Sequence, residues 1–363
     1  ITGPFLPDLM VSLSVIFFLY YFYKYENSYF KNKFFIYFSI FYIFLIFSTF
    51  LSTNFLVSLK STLPYFRFFI FCLVVFFLIE NKIIFVETFH KIIFLILCVL
   101  FIDSIYQFFN GENILNQKSP IHYRVTSFFG DEAILGSYTL KILVLFLFLN
   151  NLVKYRFKNF IFYLSIIIAA QIIVISADRT PLVLLIIYLF FLCLMDLKKV
   201  APLLIILIIG FTFTLMSSDT LKQRFIYMSF QGFYQSLGNF DSHKFYKEKN
   251  LNFISKEKIK FFISHDHHAH IVAALKIFND HKIKGSGPNT FRNLCYDPKN
   301  NYRVEKNSCS SHPHNFYIQL LSETGIIIPL FFLLIFMFVL FKIFNSLFKK
   351  NGKITNDYLV LLH

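Results

Sequence analysis

Nine stretches of this chain are apolar over enough length to cross a bilayer: residues 8–23, 34–50, 65–80, 83–108, 134–150, 159–176, 180–195, 201–216 and 316–341. A helix needs about 20 mostly apolar residues to span the hydrocarbon core, fewer where its polar ends snorkel. Only helices and closed barrels satisfy their backbone in lipid, and runs of this length predict helices. Just 15% of the 363 residues are charged, against about a quarter in soluble domains. The fold class read from these runs is an all-α polytopic membrane protein.

The net charge of +15 raises the question of a nucleic-acid partner. Its distribution answers it. Of the short loops between spans, one alternating set carries Lys24, Lys31, Lys33, Lys82, Lys154, Arg156, Lys158, Lys198, Lys199, Lys342, Lys349, Lys350 and Lys353, thirteen basic residues. The other set carries four, Lys60, Lys118, Arg124 and Arg179. The positive-inside rule places the richer set in the cytoplasm. The basic charge is therefore topological, and no nucleic-acid partner is expected.

The chain then divides into a transmembrane bundle of about eight spans over residues 1–216, a long outer loop at 217–315, and a late span with its cytoplasmic tail at 316–363. It opens on Ile1 without a Met and closes inside a further apolar run, Tyr358 to Leu362, so the parent protein is expected to carry more helices. The outer loop is far longer than an ordinary connection. It holds a Lys/Asn-rich patch near 244–260 and a helical pattern from His268 to Asn279, with Ile271, Ala274, Leu275 and Phe278 at helical spacing. Gly285-Ser286-Gly287-Pro288 then breaks the chain, which suggests a small structured cap.

Cys72, Cys98 and Cys193 lie within spans and read as small buried apolar residues. Cys295 and Cys309 lie in the outer loop, where an oxidising compartment favours a disulfide over two free thiols. The bond would close about 15 residues, worth roughly 3 kcal/mol in the chain-entropy account.

Arg124, Arg179, His312 and His314 sit on the outer side, close to the membrane surface, and can carry chemistry. Arg179 stands in a turn of a few residues, Ser176 to Thr180, between two apolar helices. It reads either as an ion pair with Asp178 or a snorkelling anchor, or as an anion-binding guanidinium. Arg124 carries the same two readings. Lys141 lies seven residues inside its span, with Asp103 on the preceding span as a candidate partner, and Arg67 lies near the outer end of another span. His312 and His314 precede the late span, and an imidazole at a cavity mouth can serve as a general base. The cluster His265, Asp266, His267, His268 and His270 invites a metal, but its spacing matches no zinc pattern, and no metal is assigned. No phosphate loop or nucleotide fingerprint is present, so an enzyme acting outside the cytoplasm would need a substrate already activated.

The run His270…Ala273-Ala274…Phe278…Gly285-Ser286-Gly287-Pro288…Phe291-Arg292…Cys295…Cys309…His312-Pro313-His314-Asn315…Gln319 to Gly325 resembles the O-antigen ligase and O-antigen polymerase superfamily. Arg124…Phe128-Phe129-Gly130-Asp131-Glu132…Leu135-Gly136-Ser137-Tyr138 and Asp178-Arg179 are similar to it as well. The resemblance implies a C-type glycosyltransferase-like helical bundle with a periplasmic helical cap, in the bacterial inner membrane. It implies an inverting, metal-independent transfer of a glycan from undecaprenyl diphosphate to an acceptor hydroxyl, with no cofactor. The acceptor would be lipid A–core, a second lipid-linked repeat, or a Ser or Thr of a protein. Arg124 and Arg179 would hold the donor diphosphate, with Lys141 and Arg67 as further candidates. His314 would be the base, with His312 second to it. A transporter or flippase of the same lipid-linked saccharide is the rival reading; it would favour midplane charges and inverted repeats, and only Lys141 fits.

Overall fold

The computed structural model describes residues 5–25, 33–81, 83–120, 124–227, 265–304 and 308–348. The patch at 244–260, the run at 358–362 and Lys31, Lys82, Lys349, Lys350 and Lys353 lie outside them, as do the side chains of His265, Asp266 and His267. The described residues form helices and no named strand. In order these are α1 (Phe5–Tyr25), α2 (Lys33–Phe50), α3 (Phe55–Thr62), α4 (Tyr65–Asn81), α5 (Ile83–Asn110), α6 (Leu135–Asn150), α7 (Lys158–Ile175), α8 (Arg179–Met216), the short α9 (Asp219–Lys222), α10 (His265–Asp280), α11 (Phe291–Tyr296), α12 (Phe316–Thr324) and α13 (Ile327–Phe348).

The chain is an all-α polytopic membrane protein. Among the described residues four stretches are long and apolar enough to cross a bilayer: Phe5–Lys24, Phe55–Ile79, Phe85–Asn110 and Lys158–Ile175. A fifth, Val200–Met216, continues across a 107° bend into Asp219–Ile226. Phe35–Phe50, Leu135–Asn150, Arg179–Leu194 and Ile327–Phe338 are shorter apolar helices.

Two compact units divide the chain. The first runs from Val75 to Gln235 and is built on α5, α6, α7 and α8. Its core stacks Leu143, Phe146 and Leu147 of α6 on Ile166, Ala169, Ala170 and Ile173 of α7 and on Leu185 and Leu203 of α8. In lipid, burying apolar surface gives little drive for helix association, so close packing of small and branched side chains supplies the cohesion; Ala169 and Ala170 let the helices approach. Leu95, Val99 and Ile102 of α5 remain on the outside of the unit, as lipid-facing side chains should.

α8 is not straight. It begins four residues after α7 ends, yet Gly210 packs on the Gln171 side chain and the Thr214 hydroxyl donates to Gln171 Oε1 at 3.0 Å. At about 1.5 Å per residue, a straight helix would carry residue 210 roughly 45 Å from Arg179. The chain therefore folds back within α8, and the two arms match in length when the reversal falls around Lys198. Pro202, which lacks the N–H to bond the turn before it, sits in this region. The basic pair Lys198-Lys199 thus separates two antiparallel arms, as it separates two apolar runs in the sequence.

The second unit joins Pro4–Val74 to Ser236–His363. Here the structure corrects one expectation. The apolar run at 316–341 is not one helix: α12 ends at Thr324 and α13 starts at Ile327. Gly325 makes the break, with φ 71° and ψ −166°, a backbone region essentially closed to other residues. The turn at Gly285–Pro288 is threaded into this break. Ser286 N–H donates to Ser322 C=O at 3.1 Å, Gly287 N–H to Glu323 C=O at 2.7 Å, and Ile326 N–H to Lys282 C=O at 2.9 Å. A side chain on Gly325 would run into the Ile283 carbonyl. The other side of the turn meets hydroxyls of α2, α3 and the link between them. Ser48 donates to Lys284 C=O, Ser52 to Ser286 C=O and Ser58 to Pro288 C=O, at 3.2, 3.2 and 2.9 Å.

Gly325→Ala is therefore expected to destabilise the protein through both backbone strain, on the order of 1–3 kcal/mol, and the lost fit to Ile283. Thermal unfolding in detergent measures it, and an unchanged midpoint would count against this account of the break.

Candidate functional site

In the first unit, the segment between α5 and α6 leaves helical geometry, and three polar side chains at the end of α5 and just beyond it supply its backbone bonds. Asp103, fully buried, accepts from Ile114 N–H at 2.9 Å and from the Ser127 hydroxyl. Gln107 Oε1 accepts from Thr126 and Ser127 N–H at 3.0 and 2.6 Å. Asn113 donates to Ser127 C=O at 3.0 Å. Ser127 takes a positive φ of 51° within this net. The result is a fixed platform for Arg124, three residues earlier.

Arg124 reaches the turn between α7 and α8. Its guanidinium pairs with the Asp178 carboxylate, and its Nε donates to Ser176 C=O at 3.4 Å. Asp178 is buried, and its other oxygen accepts Gly136 N–H at 3.1 Å, in the first turn of α6 where helix donors lack partners. Gly136 is required by this approach: a Cβ there would lie 2.6 Å from Ser176 Oγ and 2.7 Å from Asp178 Cβ. Ala177, buried with φ 57°, completes the turn, and Arg179 opens α8 with an exposed side chain. Arg124 and Arg179 thus flank one turn, with Arg124 held by Asp178.

Lys141 is exposed on α6. The pairing of Asp103 with Lys141 is not found, because the carboxylate serves Ile114 and Ser127 instead. In the second unit Arg67 Nη2 binds Asp8 Oδ2 at 2.7 Å.

The second unit also holds the histidines. α10 buries Ala273, Ala274 and Ile277 against Phe291, Cys295, Tyr302 and Cys309. Cys295 and Cys309 form a disulfide with Cα atoms 5.5 Å apart. Ser308, next to it, presents its carbonyl to Nδ1 of the buried His270 at 2.9 Å. His314 is exposed and held at a positive φ of 53°, between the buried Pro313 and Asn315. Asn315 caps α12 by accepting Ile318 N–H at 3.2 Å. The His314 ring lies 5.1 Å from that of His270 and 4.3 Å from that of His312, centroid to centroid. His312 is exposed, its Nδ1 2.8 Å from the Ser311 hydroxyl. Among the described residues no group of three or more His, Cys, Asp or Glu side chains is placed to hold a metal ion.

Glu323 anchors the cap from below. Its carboxylate accepts Asn289 N–H at 2.9 Å, Phe291 N–H at 3.2 Å and the Gln319 amide at 3.2 Å. Burial pushes its carboxyl above the usual range, against the pull of these three bonds. At the far end of α10, burial and then the Asp280 carboxylate, 2.7 Å from the hydroxyl, push the Tyr302 phenol up to about 12.

Sequence reasoning grouped His270 with a run of exposed histidines. Its environment was nevertheless signalled: His270, Ala273, Ala274 and Ile277 stand at i, i+3, i+4 and i+7, one buried face of a helix. The roles of Asp178 and Glu323 had no such signal, since both accept from backbone groups distant in sequence. Asp178→Ala should take the carboxylate from the half-buried Arg124 and leave Gly136 N–H without its acceptor, a loss of about 3 kcal/mol by the rule for broken buried pairs. Asp178→Asn keeps an oxygen for Gly136 and should cost less. Thermal melts of the two variants check this, and equal losses would contradict it.

No curated protein and no solved structure matches the chain. A family model described as O-antigen ligase matches residues 164–335, from the middle of α7 to α13. That stretch contains Arg179, His270, the disulfide, His312, His314 and Glu323. The match supports the O-antigen ligase and polymerase superfamily over residues 164–335 of this chain.

Proposed function

We propose that this protein transfers a glycan from undecaprenyl diphosphate to an acceptor hydroxyl at the periplasmic face of the bacterial inner membrane, as an O-antigen ligase or polymerase, in the synthesis of lipopolysaccharide or another surface polysaccharide. The observation that carries this reading is the family match, which spans the turn at Arg179 and the whole His312–Pro313–His314 segment.

The chemistry follows from the residues. Guanidinium groups stay charged at any working pH and bond phosphate oxygens in pairs. Arg124 and Arg179 hold the donor diphosphate and stabilise the charge that develops as it leaves. Lys141 and Arg67 are lesser candidates for the same task; Lys141 is exposed and Arg67 is engaged by Asp8. Since Asp178 already pairs with Arg124, the donor must compete with an internal carboxylate. His314, exposed and fixed by the left-handed backbone beside Asn315, takes the proton of the acceptor hydroxyl. The acceptor oxygen then bonds to the anomeric carbon as the bond to the diphosphate breaks, inverting the configuration. The leaving diphosphate departs as an anion and the proton passes from His314 to water. No metal is needed in this sequence of steps. His312, with its Nδ1 against the Ser311 hydroxyl, is the weaker candidate for the base.

Reconstituted full-length protein, given undecaprenyl diphosphate-linked glycan with either lipid A–core or a second lipid-linked repeat, tests this. Removing the base in His314→Ala should lower kcat by about 10²–10⁴. Arg179→Ala should cost about 10²–10³ through lost charge stabilisation. Both effects should persist in the presence of chelator. The productive acceptor separates ligase from polymerase, and transfer only to protein Ser or Thr would place the chain with protein-directed relatives. Movement of the lipid across vesicles without any transfer would replace the enzyme with a transporter. Full activity in both variants would remove these residues from the mechanism.

A further inference from the structure

We propose that His270 is a positioning residue for His314, holding its ring in place and stabilising the imidazolium formed when it takes the acceptor proton. This rests on His314 as the base. The juxtaposition that carries it is a buried imidazole directly behind an exposed one, with ring centroids 5.1 Å apart.

The orientation of His270 is set by its surroundings. Its Nδ1 lies 2.9 Å from Ser308 C=O, and a carbonyl only accepts, so Nδ1 carries a hydrogen and donates it there. The carbonyl is itself held independently of His270. Ser308 Oγ accepts Val304 N–H at 3.1 Å, the next residue is bonded to Cys295 through the disulfide, and the Tyr296 hydroxyl donates to Cys309 C=O at 2.8 Å. A scaffold that fixes one nitrogen of an imidazole, so that the ring can orient and support a neighbouring reactive group, is the logic by which outer-shell partners tune histidines. The proton count is simple: His314 gains the acceptor proton, His270 keeps its own on Nδ1, and the exposed His314 returns its proton to water.

The two nitrogens can be separated by substitution. The Asn amide overlays Nδ1 and keeps the bond to Ser308; the Gln amide overlays Nε2 and keeps the polar atom on the other side of the ring. Kinetics of reconstituted His270→Asn and His270→Gln would be compared with wild type and with His314→Ala. Disulfide content by mass and thermal midpoint are measured alongside. His270→Asn should retain its fold and donor KM but lose about 10–100-fold in kcat, the scale of outer-shell substitutions, with His270→Gln recovering much of that loss. If His270→Asn turns over like wild type while His314→Ala is inactive, the inference falls and the base assignment stands. Parallel loss of kcat, disulfide and stability in both His270 variants would reduce His270 to a structural role and overturn the inference. An active His314→Ala would instead sink the base assignment itself.

Discussion

A backbone N–H that leaves a helix inside or beside a bilayer must find an acceptor within the protein, because lipid offers none. In this chain three buried carboxylates accept backbone N–H groups close to the segments that carry candidate functional side chains. Asp103 takes Ile114 N–H and the Ser127 hydroxyl below the loop of Arg124. Asp178 takes Gly136 N–H at the turn that Arg179 closes. Glu323 takes Asn289 and Phe291 N–H beneath the cap that holds the histidines. Such carboxylates are costly to bury, and the cost is met by the number of bonds each makes.

This arrangement also holds Arg124 in place independently of any ligand. Asp178 fixes Arg124 by charge while the Asp103–Gln107–Asn113 net fixes the chain that bears it. A guanidinium held in place has less entropy to lose when it meets a diphosphate. Under the proposed function, the carboxylate that orients Arg124 is also the anion a donor phosphate would have to displace.

The helical bundle was legible because membrane spans are written in length and apolarity, two properties that need no partner. Eight of the nine apolar runs are helical as they stand, and even the reversal within α8 was marked by Lys198-Lys199. The ninth run was misread for a physical reason. Ser322 to Gly325 interrupts apolarity too briefly to register in a window of membrane length, yet Gly325 adopts a backbone that ends the helix. The candidate site was legible where a residue type alone nominates a candidate, as for Arg124, Arg179 and His314. It was not legible where a partner decides the role. Asp178 could have paired with Arg179, its neighbour, and Asp103 with Lys141 on the next helix; the choice of Arg124 and of Ser127 depends on how the α5–α6 segment folds over.

The disulfide and the contacts around it are close in sequence. His270, Ala273, Ala274, Ile277, Phe291, Cys295, Tyr302, Cys309 and His314 fall within one stretch of the chain, and their mutual contacts define the cap core. Contacts of short separation form without waiting for distant segments. The contacts nearest the two facing imidazoles thus fall within some forty-five consecutive residues, while Glu323 and the hydroxyls of α2 and α3 hold that stretch from outside. A transplanted cap would therefore carry its histidine pair intact only if Glu323 travelled with it.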